Sequence, residues 1–270
     1  MKTRIISGVV MAVIVAVVVV IGHFVPVVLT VFAAVLCDGA LYELTRTATG
    51  IQDMKSVFAA AGYGALMVFL WDDPFGWGKT GSLLLWVSVV YFLIAVGLTL
   101  WNHADFSLAS IAVLTAMPLP VAFAFSCLSR VINHTDGLYY LLLMLNFASV
   151  CDMGAYFVGS AVGKHKLCPA ISPKKTVEGA VGGILSSMVV SVILCLCFGF
   201  SAKLFYTVLL TVPFCVIGMG GDLFASAIKR SVGIKDYGRL IPGHGGVLDR
   251  LDSILLIAPV LWLCIETGWV

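Results

Sequence analysis

Nine polar residues, Ser226, Lys229, Arg230, Lys235, Asp236, His244, Asp249, Arg250 and Asp252, fall within 27 residues near the end of a chain that is otherwise mostly Val, Leu, Ile, Phe and Ala. Carboxylates interleaved with cationic side chains are what a magnesium-dependent reaction on phosphate esters requires. Mg2+ takes hard oxygen ligands, usually one or two carboxylates, and completes its shell with water and substrate phosphate. Lys, Arg and His carry the remaining negative charge. Gly243, Gly245 and Gly246 allow the backbone to approach a phosphate closely. Asp249 and Asp252 are three apart, hence on one helix face if the last helix has already begun. A merely solvated basic loop would need neither a glycine-flanked histidine nor acids that lead into an apolar segment.

Two upstream stretches extend this set. In "GMGGDLFASAIKR", Asp222 precedes Ser226 by four residues and Lys229 by seven. On a helix of 100° per residue both lie within about 40° of Asp222, a polar stripe roughly 10 Å long. Gly218, Gly220 and Gly221 leave room for a neighbouring helix or a ligand. In "GKHKLCPAISPKKTVEGAVGG", Pro169 and Pro173 break the chain, and a helix then starts with Thr176 near its cap and Glu178 in its first turn. Lys174 and Lys175, just ahead of that helix start, fit a phosphate site and equally fit a basic anchor at a membrane surface. Gly179 and Gly183 form a G-x-x-x-G suited to helix packing. No Walker pattern is present: Gly163-Lys164-His165 has Val158 where the first glycine belongs, and Gly78-Lys79-Thr80 has Asp73.

These residues must be positioned by membrane helices. The chain of 270 residues is 61% hydrophobic and 11% charged, with a mean hydropathy of +1.08, which excludes a soluble globular domain. The apolar runs are long and lack period-2 alternation, so the expected fold is all-α and polytopic, not a barrel. Spans of suitable length fall at about 5–22, 24–45, 56–71, 81–101, 107–129, 137–159, 177–200, 204–228 and 252–268, about nine helices. The first reads as an uncleaved signal anchor, because no small-x-small cleavage site follows it before His23 and Pro26. With the N-terminus in the cytoplasm, 13 of the 16 Lys and Arg fall on the cytoplasmic side. Nine of the 13 lie in two loops, at about 160–176 and 229–251, among them Lys164, Lys166 and Arg239. The expected organisation is a transmembrane scaffold over 1–130 and a catalytic region over 131–270.

Seven of the eight cysteines lie in or beside apolar runs and none forms a C-x-x-C pair, so they read as reduced, lipid-buried thiols. Charges inside spans usually mark a site. Besides Asp222, they are Asp38, Glu43, Asp152 and Glu178. Glu43, near a span end and three residues from Arg46, reads as an interfacial ion pair, and Asp38 has no evident role.

The run "SAIKRSVGIKDYGRLIPGHGGVLDRLD", Ser226 to Asp252, resembles the signature of the CDP-diacylglycerol synthases, or phosphatidate cytidylyltransferases. "CDMGAYFVG" from Cys151 and "SPKKTVEG" from Ser172 are similar to that family's pattern as well. The resemblance implies the reaction of CTP with phosphatidate to give CDP-diacylglycerol and pyrophosphate. It further implies a homodimer in a bilayer, with no nucleic-acid partner; the chain's size and lack of targeting extensions point to a bacterial cytoplasmic membrane. Under it, Mg2+ is expected on Asp222 and Asp249, with a second cation near Asp252 or Asp152 left open. Lys174, Lys175, Lys229, Arg230, Lys235 and Arg250 would bind the phosphates, Ser226, Asp236, Gly245 and Gly246 would complete the cofactor-binding positions, and His244 would donate to a phosphate or to the leaving pyrophosphate. Two rivals stand beside this reading. A CTP-dependent lipid-alcohol kinase would use similar parts but release CDP. A carrier would use the intramembrane carboxylates, but carriers place them at the midplane, often in repeated halves, whereas these gather at one face.

Overall fold

Long runs of Val, Leu, Ile and Ala satisfy their backbone groups in a bilayer only within helices or closed barrels, and here they form helices. The computed structural model describes residues 2–49, 54–74, 76, 80–101, 108–238 and 240–269; Lys79 and Arg239 lie outside the described residues. The helices are α1 (Lys2–Phe24), α2 (Val27–Thr49), α3 (Met54–Asp72), α4 (Thr80–Trp101), α5 (Leu108–Ala116), α6 (Pro118–Asn133), α7 (Gly137–Leu145), α8 (Cys151–Val162), α9 (Val177–Cys197), α10 (Leu204–Ser231) and α11 (Leu248–Glu266). Among the described residues, eight stretches are long and apolar enough to cross a membrane, from Ile6–Phe24 to Ser201–Ser231. α11 is a further 19-residue helix whose first two turns hold Asp249, Arg250 and Asp252. This is an integral membrane protein with the expected all-α, polytopic architecture.

Three local features differ from the sequence expectation. The fifth span is two helices, because Pro118 lacks an N–H and begins α6. In the sixth, a π turn at Asn146–Val150 separates α7 from α8, and such wide turns are rare. The segment at 160–176 is not a plain loop: β1 (Lys166–Cys168) and β2 (Ser172–Thr176) pair antiparallel in a small hairpin. A two-stranded hairpin has only edge strands, which is why Pro173 is tolerated inside β2.

The chain separates into two compact units, one of Met1–Asn133 with Val232–Leu251, the other of His134–Ser231 with Asp252–Val270. In the first, α2, α3 and α6 pack through small residues, with Ala33, Cys37, Ala40, Ala60 and Ala122 buried. Asp72 at the end of α3 joins them by accepting from Thr30 Oγ1, from Ser129 Oγ at 2.9 Å and from Asn133 Nδ2 at 2.9 Å. In the second unit, α8 and α9 meet along a glycine seam. A Cβ on Gly183 would lie 2.4 Å from the Cys151 carbonyl oxygen, and one on Gly179 would lie 2.6 Å from that of Ala155. The Gly179/Gly183 pair therefore serves helix packing. Buried polar groups add interhelical bonds: Asn146 Nδ2 donates to Ser187 O at 3.0 Å and Ser191 Oγ at 2.9 Å, and Ser191 pairs with Thr211 at 2.8 Å. Bonds of this kind contribute about 0.6 kcal/mol each in a membrane. All eight cysteines are free.

Candidate active site

In the second unit, β2 delivers two lysines to a cleft. Thr176 ends the strand in an extended conformation, and its Oγ1 accepts from Gly179 N at 3.2 Å, which caps α9. The base of the hairpin is tied to the same helix by Glu178, whose carboxylate accepts from Lys164 N at 3.0 Å and His165 N at 3.1 Å and pairs with His165 Nδ1 at 2.5 Å. The cleft, of about 450 Å3, is lined by the charged residues Asp152, Lys166, Lys174, Lys175 and Asp222 and also by Tyr156, Leu167 and Met219. Its size suits a small-molecule ligand. Lys175 Nζ lies 2.5 Å from Asp222 Oδ2 and 3.9 Å from Asp152 Oδ1. Ser226 Oγ is 3.4 Å from Asp222 Oδ1, as the helical spacing predicts. Asp252 is close enough to Asp222, Asp152 and Lys229 for their charges to act on it. This proximity is built on Gly221, where a Cβ would lie 2.7 Å from the Asp252 carbonyl oxygen.

The lining unites ammonium groups and carboxylates with apolar side chains, a combination suited to a phosphate ester that carries a hydrocarbon tail. Its oxygens are hard donors of the type Mg2+ uses, and one or two carboxylates suffice when water and substrate complete the shell. Among the described residues, no three carboxylate, imidazole or thiolate groups form a ready-made metal cage. The residues present would suit an ion shared with substrate, with Asp222 and either Asp152 or Asp252 as the carboxylates that would hold it.

In the first unit, residues 232–238 and 240–247 belong to a tight loop that leads into α11. Gly243, at φ +79°, follows Pro242 in a turn closed by the Ile241 carbonyl accepting from His244 N at 2.9 Å, and Ile241 N donates to Gly245 O at 2.9 Å. Two carboxylates organise the loop. Asp249 Oδ2 accepts from Tyr237 N at 2.8 Å and Gly246 N at 3.0 Å. Glu43, only 2% exposed, reaches from α2 and accepts from Val247 N and Leu248 N, each at 3.0 Å, at the start of α11. A Cβ on Gly238 or Gly246 would lie within about 2.3 Å of the Glu43 carboxylate, so these glycines admit Glu43. The expected Glu43–Arg46 ion pair is not formed. Glu43 turns to the loop, and Arg46 donates to Tyr42 Oη. Ser7 Oγ of α1 holds His244 Nδ1 at 2.8 Å, and Thr47 Oγ1 donates to Tyr237 O at 2.6 Å.

The structure thus brings Asp222, Ser226, Lys229 and Asp252 together with Lys174 and Lys175 in the second unit. Lys229 is buried, whereas Arg230, at the end of α10, is exposed. Asp249, His244, Gly245 and Gly246 lie in the loop of the first unit, with Lys235, Asp236 and Arg250 exposed there. Of the two carboxylates expected to hold magnesium, Asp222 belongs to the second unit and Asp249 to the first, where Asp249 accepts the backbone N–H groups of Tyr237 and Gly246. Gly246 is close to a carboxylate of the chain itself. Glu43, Ser7 and Thr47 were not legible as site residues, since their partners are about 190 or more positions away. The signal for Glu43 was its charge inside an apolar span.

Comparison with known proteins identifies the family. A model of the cytidylyltransferase family matches residues 2–267. The phosphatidate cytidylyltransferase of Bacillus subtilis is 32% identical over 266 residues, covering 97% of this chain and 96% of its own. That of Staphylococcus saprophyticus is 32% identical over 234 residues, covering 87% and 88%, and that of Staphylococcus aureus 31% over the same shares. On a match that runs almost end to end, the chain belongs to the cytidylyltransferase family.

Proposed function

We propose that the protein is an integral-membrane nucleotidyltransferase that condenses CTP with phosphatidate to CDP-diacylglycerol and pyrophosphate. The observation that carries this reading is the cleft of the second unit, lined by Lys166, Lys174 and Lys175, by Asp152 and Asp222 and by apolar side chains, in a chain of this family. A phosphatidate oxygen attacks the α-phosphorus of CTP; the new P–O bond forms as the bond to the β-phosphate oxygen breaks, and pyrophosphate carries away the electron pair. Both partners are anionic, so positioning and charge neutralisation supply most of the catalysis. The hairpin lysines hold phosphate oxygens, and the apolar side chains of the lining, Tyr156, Leu167 and Met219, orient the lipid. Asp222, with Asp152 or Asp252, would hold Mg2+, which when bound offsets negative charge on the phosphates. His244, Lys235 and Arg250 are further anion partners on the strength of the family motif.

The clustering of 13 of the 16 basic residues on one side supports a cytoplasmic N-terminus and a site that opens to the cytoplasm, where CTP is found, in a bacterial inner membrane. Light scattering on the detergent-solubilised protein tests the homodimer that the resemblance implies. The reaction is tested by supplying CTP and phosphatidate to purified protein with and without Mg2+. Magnesium-dependent formation of CDP-lipid and pyrophosphate is the expected result. Release of CDP with a phosphorylated lipid would make the protein a kinase, and the absence of turnover by folded protein would favour a carrier.

A further inference from the structure

Lys175 occupies an unusual place. Its ammonium is enclosed and lies 2.5 Å from Asp222 Oδ2, yet the approach is off the hydrogen-bonding direction, so Nζ has no aligned acceptor. The second carboxylate, Asp152, is 3.9 Å away. An ammonium carries three donors, and a contact that satisfies none of them well is held by charge alone. Asp152, Asp222 and Asp252 lie near enough for their charges to act on one another, with Lys175 acting on Asp152 and Lys229 on Asp252. Lys175 is the last residue but one of β2, directly before the cap Thr176, so its backbone is fixed. Its side chain is a flexible four-carbon stem that ends in a compact charge, and it lines a cleft in which Lys166 and Lys174 offer companion anion sites.

We propose that Lys175 is an exchangeable counter-cation: it neutralises the Asp222–Asp152 pair while the site awaits substrate, and moves to a substrate phosphate when a divalent cation is held by those carboxylates. The two cations compete for the same oxygens, because like charges a few ångströms apart repel strongly in a partly desolvated cleft. The moved ammonium then gains the aligned acceptors it lacks at Asp222. This rests on the reading of a divalent cation at Asp222 given above.

The test is Mn2+ binding, followed by the loss of its free-ion paramagnetic resonance signal, on substrate-free protein in detergent. Lys175→Met is expected to bind Mn2+ at least about fivefold tighter than the unaltered protein and to lose at least about a hundredfold in CDP-lipid formation. Lys175→Arg keeps the charge and is expected to bind Mn2+ no tighter than the unaltered protein; Asp222→Asn is expected to lose the tight binding. Unfolding temperatures verify that each variant is folded. Equal or weaker Mn2+ binding by folded Lys175→Met, with turnover still magnesium-dependent in the unaltered protein, would overturn the exchange role alone. Turnover without any divalent cation would overturn the metal reading and the exchange role together.

Discussion

The loop at 232–251 and the hairpin at 166–176 are each tied down by a glutamate that accepts backbone N–H groups, but in unlike surroundings. Glu43 is 2% exposed, and its two bonds link residues 204 and 205 positions apart. The side chain of Glu178 is 27% exposed, and it holds a turn only 13 and 14 residues away. A buried carboxylate that loses a donor leaves a polar group unsatisfied, whereas an exposed one exchanges that partner for water. The loop is therefore expected to behave as one all-or-none unit, and the hairpin as an adjustable arm.

Substitutions can break this comparison in graded ways. The largest effect is expected from Gly246→Val, whose Cβ would lie 2.2 Å from Glu43 Oε2. It should abolish CDP-lipid formation and lower the unfolding temperature; a variant near normal in both would remove the steric basis of the loop. Next comes Asp249→Asn, expected to abolish transfer with the fold kept, since Tyr237 N and Gly246 N both donate to one carboxylate oxygen, whose place the amide oxygen can take, while the charge is lost. Near-normal activity in that variant would sink any charge-dependent role for Asp249. Glu43→Gln should lower stability by about 1–3 kcal/mol, because an amide N–H₂ would face backbone donors, while Arg46→Ala, which does not touch Glu43, should be near neutral. Equal losses from the two in urea titration would restore the ion-pair interpretation. The smallest effect belongs to Glu178→Gln, expected to raise the KM for either substrate less than about threefold, as for partly exposed ion pairs. A cycle with His165→Ala measures the pair directly, and a tenfold effect would show that the hairpin is as rigid as the loop.

Much of this architecture is written locally. Hydropathy marks the membrane helices because each bilayer span must satisfy its own backbone, and the spacing of Asp222, Ser226 and Lys229 marks a face because a helix repeats every 3.6 residues. Thr176 shows itself as a cap because capping involves neighbours. What was not legible depends on distant partners or on weak local pattern. Three- and five-residue strands rich in Lys and Pro carry no alternation that separates them from a loop. The π turn at Asn146–Val150 adds a single residue to a helix that is apolar all round. Glu43 has a charged neighbour three positions on, and its true partners are two backbone N–H groups at the other end of the sequence.

The glycine seam between α8 and α9 also bears on how the protein is made. Its contacts, from Cys151–Gly183 to Ala155–Gly179, span at most 32 residues, and contacts of such low sequence separation form early because little loop entropy opposes them. The seam and its capped hairpin are complete once Cys197 has left the ribosome, before α10 supplies Asp222. The Glu43 clamp must wait until Leu248 has been synthesised. Assembly thus proceeds from a preformed lysine arm to a loop that locks last, and a chain shortened to end after α9 is expected to hold its hairpin while the other half of the chemistry is still missing.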